Sequence, residues 1–175
     1  MDQGKNLTSK DLLLERIRAI HRDCYILCKK HFGEYFENSG NMGVFCQTES
    51  EYKAYINIRK EITIPSDNPN QKYYLLRELI VIPTENMIPG ATYTHLYIRN
   101  VDKTPYGRFL GDVDFITSNE EYEGYKNHLL KNGDKDGIKI YDRPGWNNIQ
   151  ITDPTISSVA YLSTKEMAEK ARLKF

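Results

Sequence analysis

Two segments of this chain, 70 residues apart, carry nearly the same lead-in to a helix. Phe45–Asn57 aligns with Phe115–Asn127, with identities at Phe45/Phe115, Glu51/Glu121, Tyr52/Tyr122, Tyr55/Tyr125 and Asn57/Asn127, and with Thr48 set against Ser118. A hydroxyl followed three residues later by Glu is a capping box, in which each side chain takes a backbone N–H that the helix start leaves unpaired. A period of 70 is longer than the roughly 20–50 residues of solenoid repeats. Two such units in 175 residues therefore read as two halves of one pseudo-symmetric domain, about 43–99 and 109–162.

The rest of the chain fits around these helices. Thr8 and Asp11 resemble a third capping pair, and Leu13, Ile17, Ile20, Cys24, Leu27, Cys28 and Tyr35 recur at helical spacing, predicting one long amphipathic helix over 9–37, with Gly33 as a place where it can break. The turn-forming stretch 38–43 is expected to end it, and Val44–Cys46 reads as a short buried strand. The first capped helix is predicted over 49–62. Strands follow at 73–82, 92–99 and 109–117, then the second capped helix stops at Gly133. Short strands near 138–141, 146–152 and 157–162 precede a C-terminal helix capped by Ser163 and Glu166. The organisation expected is an N-terminal helical extension, 1–40, packed on a single α+β domain, 41–175.

Composition narrows the class of protein. Lys and Arg together number 24 and so do Asp and Glu, so no net field steers the chain to nucleic acid or an anionic membrane. Met1–Lys10 is polar and no apolar run approaches the roughly 20 residues of a membrane span, which predicts neither leader nor anchor and a cytoplasmic protein. Three cysteines, two of them four apart on a helical pattern, do not make a disulfide framework.

The second half carries a resemblance. A strand, a capped helix ending at Asn132 and Gly133, another strand, then Trp146–Pro154 and Val159–Leu162, with a turn at Asp153 and Pro154 between the last two strands, resembles the second half of the vicinal oxygen chelate superfamily. That glyoxalase- and bleomycin-resistance-like fold pairs two βαβββ modules, and the likeness covers about 43–162. It implies an α+β fold of two βαβββ-like modules forming a curved mixed sheet, here with an added long N-terminal helix and a C-terminal helix. In the family a metal sits in the sheet cavity, held by residues of the first and last strand of each module. Carried over, those places fall on Asp114, on Val44, on His95 with Tyr97 near it, and on Val159, Ala160 and Tyr161. Valine cannot bind a metal, and open enzyme sites usually want three or more protein N or O ligands. The resemblance thus implies a small-ligand cavity around His95, Tyr97, Asp112, Asp114 and Tyr161 with an incomplete metal site. No cofactor is expected, and a divalent metal, if one binds, would use His95 and Asp114.

Other patterns point to chemistry independently of the resemblance. Asp112 and Asp114 alternate on a strand and share a face, which suits Mg²⁺ or Mn²⁺ in phosphoryl or nucleotidyl transfer, with Asp142 as a third carboxylate. The Gly-Ser pair such transferases place upstream is missing; only Gly107 lies within reach. His21, Cys24, Cys28 and His31 fall on one side of the first helix, but one helix cannot close a tetrahedron over three turns, and the side is also its apolar stripe, so core packing is the expectation. Asn132, Asp134, Asp136 and Gly137 mimic a calcium loop, yet Arg143 stands where its Glu belongs, leaving a turn. Cys46 is expected in the core and His128 on a helix surface. Tyrosines beside cations, at Lys72/Tyr73, Tyr97/Arg99 and Tyr106/Arg108, suit either a binding surface or plain sheet formation. Three functions stay open: a small-molecule-binding protein, a divalent-metal-dependent enzyme centred on Asp112 and Asp114, and a protein-interaction module. A homodimer is compatible with each, and nucleic acid and membrane partners are not expected.

Overall fold

The computed structural model describes residues 8–173; residues 1–7, which carry most of the polar start, and 174–175 lie outside the described residues. The elements in order are α1 (Ser9–Phe32), β1 (Glu37–Phe45), α2 (Glu49–Ile62), β2 (Tyr74–Ile82), β3 (Ala91–Arg99), a 3₁₀ turn (Pro105–Arg108), β4 (Gly111–Ile116), α3 (Asn119–Asn132), β5 (Ile138–Arg143), β6 (Trp146–Ile151), β7 (Val159–Ser163) and α4 (Lys165–Lys170). This is an α+β protein with helices at both ends, and all its helices begin at the hydroxyl caps their sequences offer. Thr8 and Asp11 form a reciprocal capping box, as do Ser118 and Glu121. Thr48 accepts from Glu51 N–H, and α4 is capped by Thr164 rather than by the expected Ser163. The helices α2 and α3 both have 14 residues.

The largest departure from expectation lies between α1 and α2. Of the two ends the sequence left open for this helix, 37 and a break at Gly33, the second holds: α1 stops at Phe32 because Gly33, at φ +76°, takes the left-handed conformation and donates to Lys29 O at 2.9 Å. The stretch 38–43, expected as a turn, is strand. Gly40 sits at φ +87° and its N–H donates to Asn38 Oδ1 at 2.7 Å, which turns the local irregularity into a bulge between Asn38 and Met42. Strands on both sides of β1 supply the ladder that local turn chemistry opposes.

One seven-stranded mixed sheet has the order β2-β3-β1-β4-β7-β6-β5. Its centre is the antiparallel pair β1–β4; β1 runs parallel to β3 and β4 runs parallel to β7. The outer pairs are antiparallel. The strand before α3, β4, pairs with β1 on one side and β7 on the other; counted with the second half it makes that half βαβββ and leaves the first as βαββ, one strand short of the expected βαβββ.

Three helices cover one face. Leu13, Ile17, Ile20 and Leu27 of α1, Tyr55 and Ile58 of α2, and Tyr122 and Leu129 of α3 share one buried cluster with Val44, Val113, Phe115 and Leu162 of the central strands. Each fully buried Leu or Ile in it is worth about 1.5–3 kcal/mol, so α1 is a structural member of the core. The strand β1 also begins at Glu37, ahead of the expected boundary at 40. His21, Cys24 and Cys28 belong to this core: His21 lies 2.7 Å from Tyr93 Oη and 3.0 Å from Pro89 O, and all three cysteines are free and buried. Burial pushes the Cys28 thiol up to about 11 and the Cys46 thiol up to about 12, which makes them inert. His31 Nε2 instead lies 3.1 Å from Thr152 O.

The offset of 70 aligns the two helices but not the strands before them. Phe115 packs edge-on against Tyr25 of α1, with ring centroids 4.9 Å apart, whereas Phe45 belongs to a separate cluster with Phe109 and Val159 on the other face of the sheet.

Candidate functional site

That other face is where the chemistry collects. Along β4, Val113 and Phe115 face the helices, so Asp112 and Asp114 must face away from them. Of the helices, only the short α4 lies on this side, and the space beside it is a cavity of about 880 Å³. Asp112 and Asp114 line it at the middle of the sheet, and both are buried, at 5% and 7% exposure.

Each carboxylate is held by a neighbour. Tyr73 Oη donates to Asp112 Oδ1 at 3.0 Å. Opposite Asp112 in the ladder stands Gly43, and a Cβ there would fall 1.8 Å from Asp112 Oδ1, so only glycine leaves room for the carboxylate. Asn41 Nδ2 donates to Asp114 Oδ2 at 2.8 Å and to Ala168 O at 2.8 Å, and Arg172 Nε donates to Asn41 Oδ1 at 2.9 Å. Through Asn41 and Arg172 the C-terminal segment is tied to the acidic pair. Each carboxylate keeps one oxygen that these side-chain contacts do not use.

Burial sets the proton affinity of the pair. It pushes Asp114 up to about 7, with the charge of Asp112 adding to the rise and the Asn41 hydrogen bond working against it. Burial raises Asp112 too, while the Lys72 ammonium and the Tyr73 hydroxyl favour its ionised form. Two interacting carboxylates titrate as a unit, so near neutral pH the pair carries less than its full double charge.

Aromatic rings form the walls: Phe45, Tyr73, Tyr97, Tyr106 and Tyr161. The hydroxyls of Tyr106 and Tyr161 meet at 2.5 Å, and burial holds both phenols well above their ordinary range. Cations lean on these rings. Lys72 Nζ lies 5.4 Å from the centre of the Tyr73 ring and 5.2 Å from that of Tyr97. The Arg99 guanidinium stands 5.0 Å from Phe45 and 4.6 Å from Tyr106 and pairs with Asp102 at 2.5 Å. On the far side, Arg143 and Trp146 flank the β5–β6 turn, and Lys170 Nζ donates to Gly145 O.

Of the five residues expected to bind a ligand, Tyr97, Asp112, Asp114 and Tyr161 line this cavity together. His95 is not among its lining residues. It sits on β3 with Nδ1 2.8 Å from Thr94 Oγ1, and burial, then the Arg172 charge, pushes it down to about 4. Asp142 pairs with Lys126 at 3.2 Å away from the lining. Asp134 accepts from Ile140 N–H at 3.1 Å in a turn, and His128 is an exposed helix residue. The donor set does not fit a glyoxalase-type metal centre: Val44 faces the helices, and among the described residues no three His, Cys, Asp or Glu side chains gather as metal ligands.

Sequence reasoning missed Asn41, Gly43, Asn148 and Arg172. Gly43 had a signal, since glycine inside a strand marks close approach. Asn41 and Arg172 had none, because 131 residues separate them. No protein-family model matches the chain, and no curated protein matches it in sequence. Among the described residues no helix is long and apolar enough to cross a membrane.

Proposed function

We propose that this protein binds a small organic molecule in the cavity over β4. The observation that carries this reading is the volume of about 880 Å³ with an acidic pair at its floor and aromatic walls. Sites for small ligands are commonly about 300–1,000 Å³, mostly apolar, with a few convergent polar groups. Tyr73, Tyr97, Tyr106 and Tyr161 line this cavity, which favours it over a tyrosine-based protein-interaction surface. The likeness to the glyoxalase-like fold is part of the same proposal. Its support is the strand order about the β1–β4 pair, with a parallel neighbour on each side, and the equal lengths of α2 and α3. The shorter first half and the opposite faces of Phe45 and Phe115 weigh against a close copy.

Native mass spectrometry of the protein purified from cells, followed by thermal melts against a metabolite panel, tests the reading. A ligand at a hundred times its Kd stabilises the native state by about 2.7 kcal/mol, which a melt detects easily. A retained or stabilising molecule whose effect is lost in Tyr97→Ala is expected. If no molecule in a broad panel shifts the melt at millimolar concentration, the proposal is wrong.

One observation favours a second reading, a divalent-metal-dependent lyase or phosphoryl- or nucleotidyl-transfer enzyme: the two carboxylates share one face of one strand inside the cavity. Its mark would be a large Mn²⁺ or Mg²⁺ stabilisation that vanishes in Asp114→Asn and persists in Asp134→Asn.

A further inference from the structure

Opposite charges line this cavity without meeting. Lys72, Asp112 and Asp114 all line it, yet none of the three belongs to an ion pair among the described residues. The half-buried Lys72 is held over the rings of Tyr73 and Tyr97, and its Nζ donates a hydrogen bond to none of the described residues. A ring face attracts the charge but leaves the N–H donors of an ammonium without an oxygen acceptor. Arg99, the other cation beside the acidic pair, already has its carboxylate in Asp102. The two carboxylates are not equivalent. Asp112 accepts from the Tyr73 hydroxyl, and the Lys72 and Arg99 charges favour its ionised form. Asp114 is held by the neutral amide of Asn41, and Arg172 is tied to it only through that amide. Its Oδ1 takes no side-chain hydrogen bond among the described residues.

A ligand with a charge of one sign would answer one of these groups and repel the other, whereas a ligand that carries both signs answers both. From these unpaired charges in one walled space, and resting on the small-ligand reading above, we infer that the cavity takes a free aromatic α-amino acid. Its carboxylate accepts from Lys72 Nζ, its ammonium donates to the unused oxygen of Asp114, and its ring lies among Phe45, Tyr106 and Tyr161. Both ligand charges sit on one carbon, so the two contacts fix its orientation together. Hydrogen bonds between ionised groups are the strong kind, and the low dielectric of a partly enclosed site strengthens them further. The aromatic walls receive the ring edge-on or offset, as aromatic pairs prefer. An ammonium seated there supplies the counter-charge whose lack leaves Asp114 raised by burial and by its neighbour Asp112.

Calorimetric titration with L-tryptophan, tryptamine and indole-3-propionate tests this. Tryptamine lacks only the carboxylate and indole-3-propionate only the ammonium. L-Tryptophan is expected to bind about tenfold or more tighter than either, the scale of one charge-assisted hydrogen bond. Lys72→Gln should erase the preference of L-tryptophan over tryptamine while keeping that over indole-3-propionate. Asp114→Asn, checked for folding by its melt, should do the reverse. Lys72→Gln alters a half-buried side chain outside the core, so it decides the question even where Asp114→Asn fails to fold. Tryptamine or indole-3-propionate binding as tightly as L-tryptophan would mean that one sign of charge suffices, and overturns the inference. So does a preference that the variants leave intact, or no binding of L-tryptophan at millimolar concentration. If any of these happens while another molecule still binds and is lost in Tyr97→Ala, the small-ligand reading survives and only this inference falls.

Discussion

The two faces of β4 are built from opposite materials. Toward the helices stand Val113 and Phe115, both fully buried among apolar side chains; toward the cavity stand Asp112 and Asp114, nearly as buried, among hydroxyls, amides and cations. Six residues of strand thus serve two purposes, because a strand's alternation lets one backbone present unrelated surfaces. Burial on the helix face adds stability at about 25 cal/mol per Å² of apolar area. On the cavity face it lowers stability, since ionised groups out of water cost free energy unless paired. Groups kept buried at a cost on a sheet that has an apolar alternative mark the face where function is expected.

Substitutions can break this contrast. The largest effect should come from Phe115→Ala, which removes a fully buried ring packed edge-on against Tyr25; a loss of about 3–5 kcal/mol is expected from core truncations of this kind. Phe45→Ala, on a wall that borders the cavity, should cost clearly less in denaturant melts. Equal losses would mean that the cavity face is packed like the core.

Gly43→Ala comes next. The added methyl would stand 1.8 Å from Asp112 Oδ1 and 3.2 Å from Tyr73 Oη, so the carboxylate must leave its place. Overpacking of this kind costs about 1–3 kcal/mol. Removing the crowded carboxylate in the double variant Gly43→Ala with Asp112→Ala should recover part of that loss, and no recovery would show that the methyl strains the backbone instead.

Asp114→Asn should act with a definite sign against pH. A carboxyl whose folded pKa is raised binds its proton more tightly when folded, so its contribution is most favourable at acid pH and is lost as pH rises from about 4 toward 7. Asparagine escapes this loss and can still accept from Asn41. The unfolding free energy of the variant minus that of the wild type, from urea melts, should therefore grow from pH 4 to pH 7 and then level off, by an amount on the order of 1–3 kcal/mol. A difference that stays flat over that range would place Asp114 in a solvated environment.

Much of this arrangement was legible in advance. Hydroxyl caps located α2 and α3 to the residue, because capping is a local contract between residues three apart. The alternation of Asp112 and Asp114 placed them on one face for the same reason. The strand over 38–43 was not legible: Asn38, Gly40 and Gly43 are turn formers by local preference, and only the flanking strands β3 and β4 make them strand. His95 stands beside Asn41 in the ladder but is not among the residues that line the cavity, a distinction that strand alternation alone does not make. Arg172, which holds Asn41 from the far end of the chain, has a role only after folding brings the two together.

The smallest effect should come from the hydroxyl pair of Tyr106 and Tyr161. These side chains close the cavity wall with a hydrogen bond of 2.5 Å, and either oxygen can donate. Tyr161→Phe keeps the ring, and so keeps the apolar area, but leaves Tyr106 Oη without that partner. Because Tyr106 lines the cavity, water entering there can take the lost place, which makes the net change that of an ordinary hydrogen bond, about 0.5–1.5 kcal/mol. Tyr106→Phe should cost the same, and the double variant no more than either single one, since the second change removes a group already deprived of its partner. A double-mutant cycle in urea measures this coupling directly. Additive losses would mean that each hydroxyl has its own partner. A loss as large as that of Phe115→Ala would mean that the wall cannot admit water, and the distinction between a packed face and a binding face would fail at its centre.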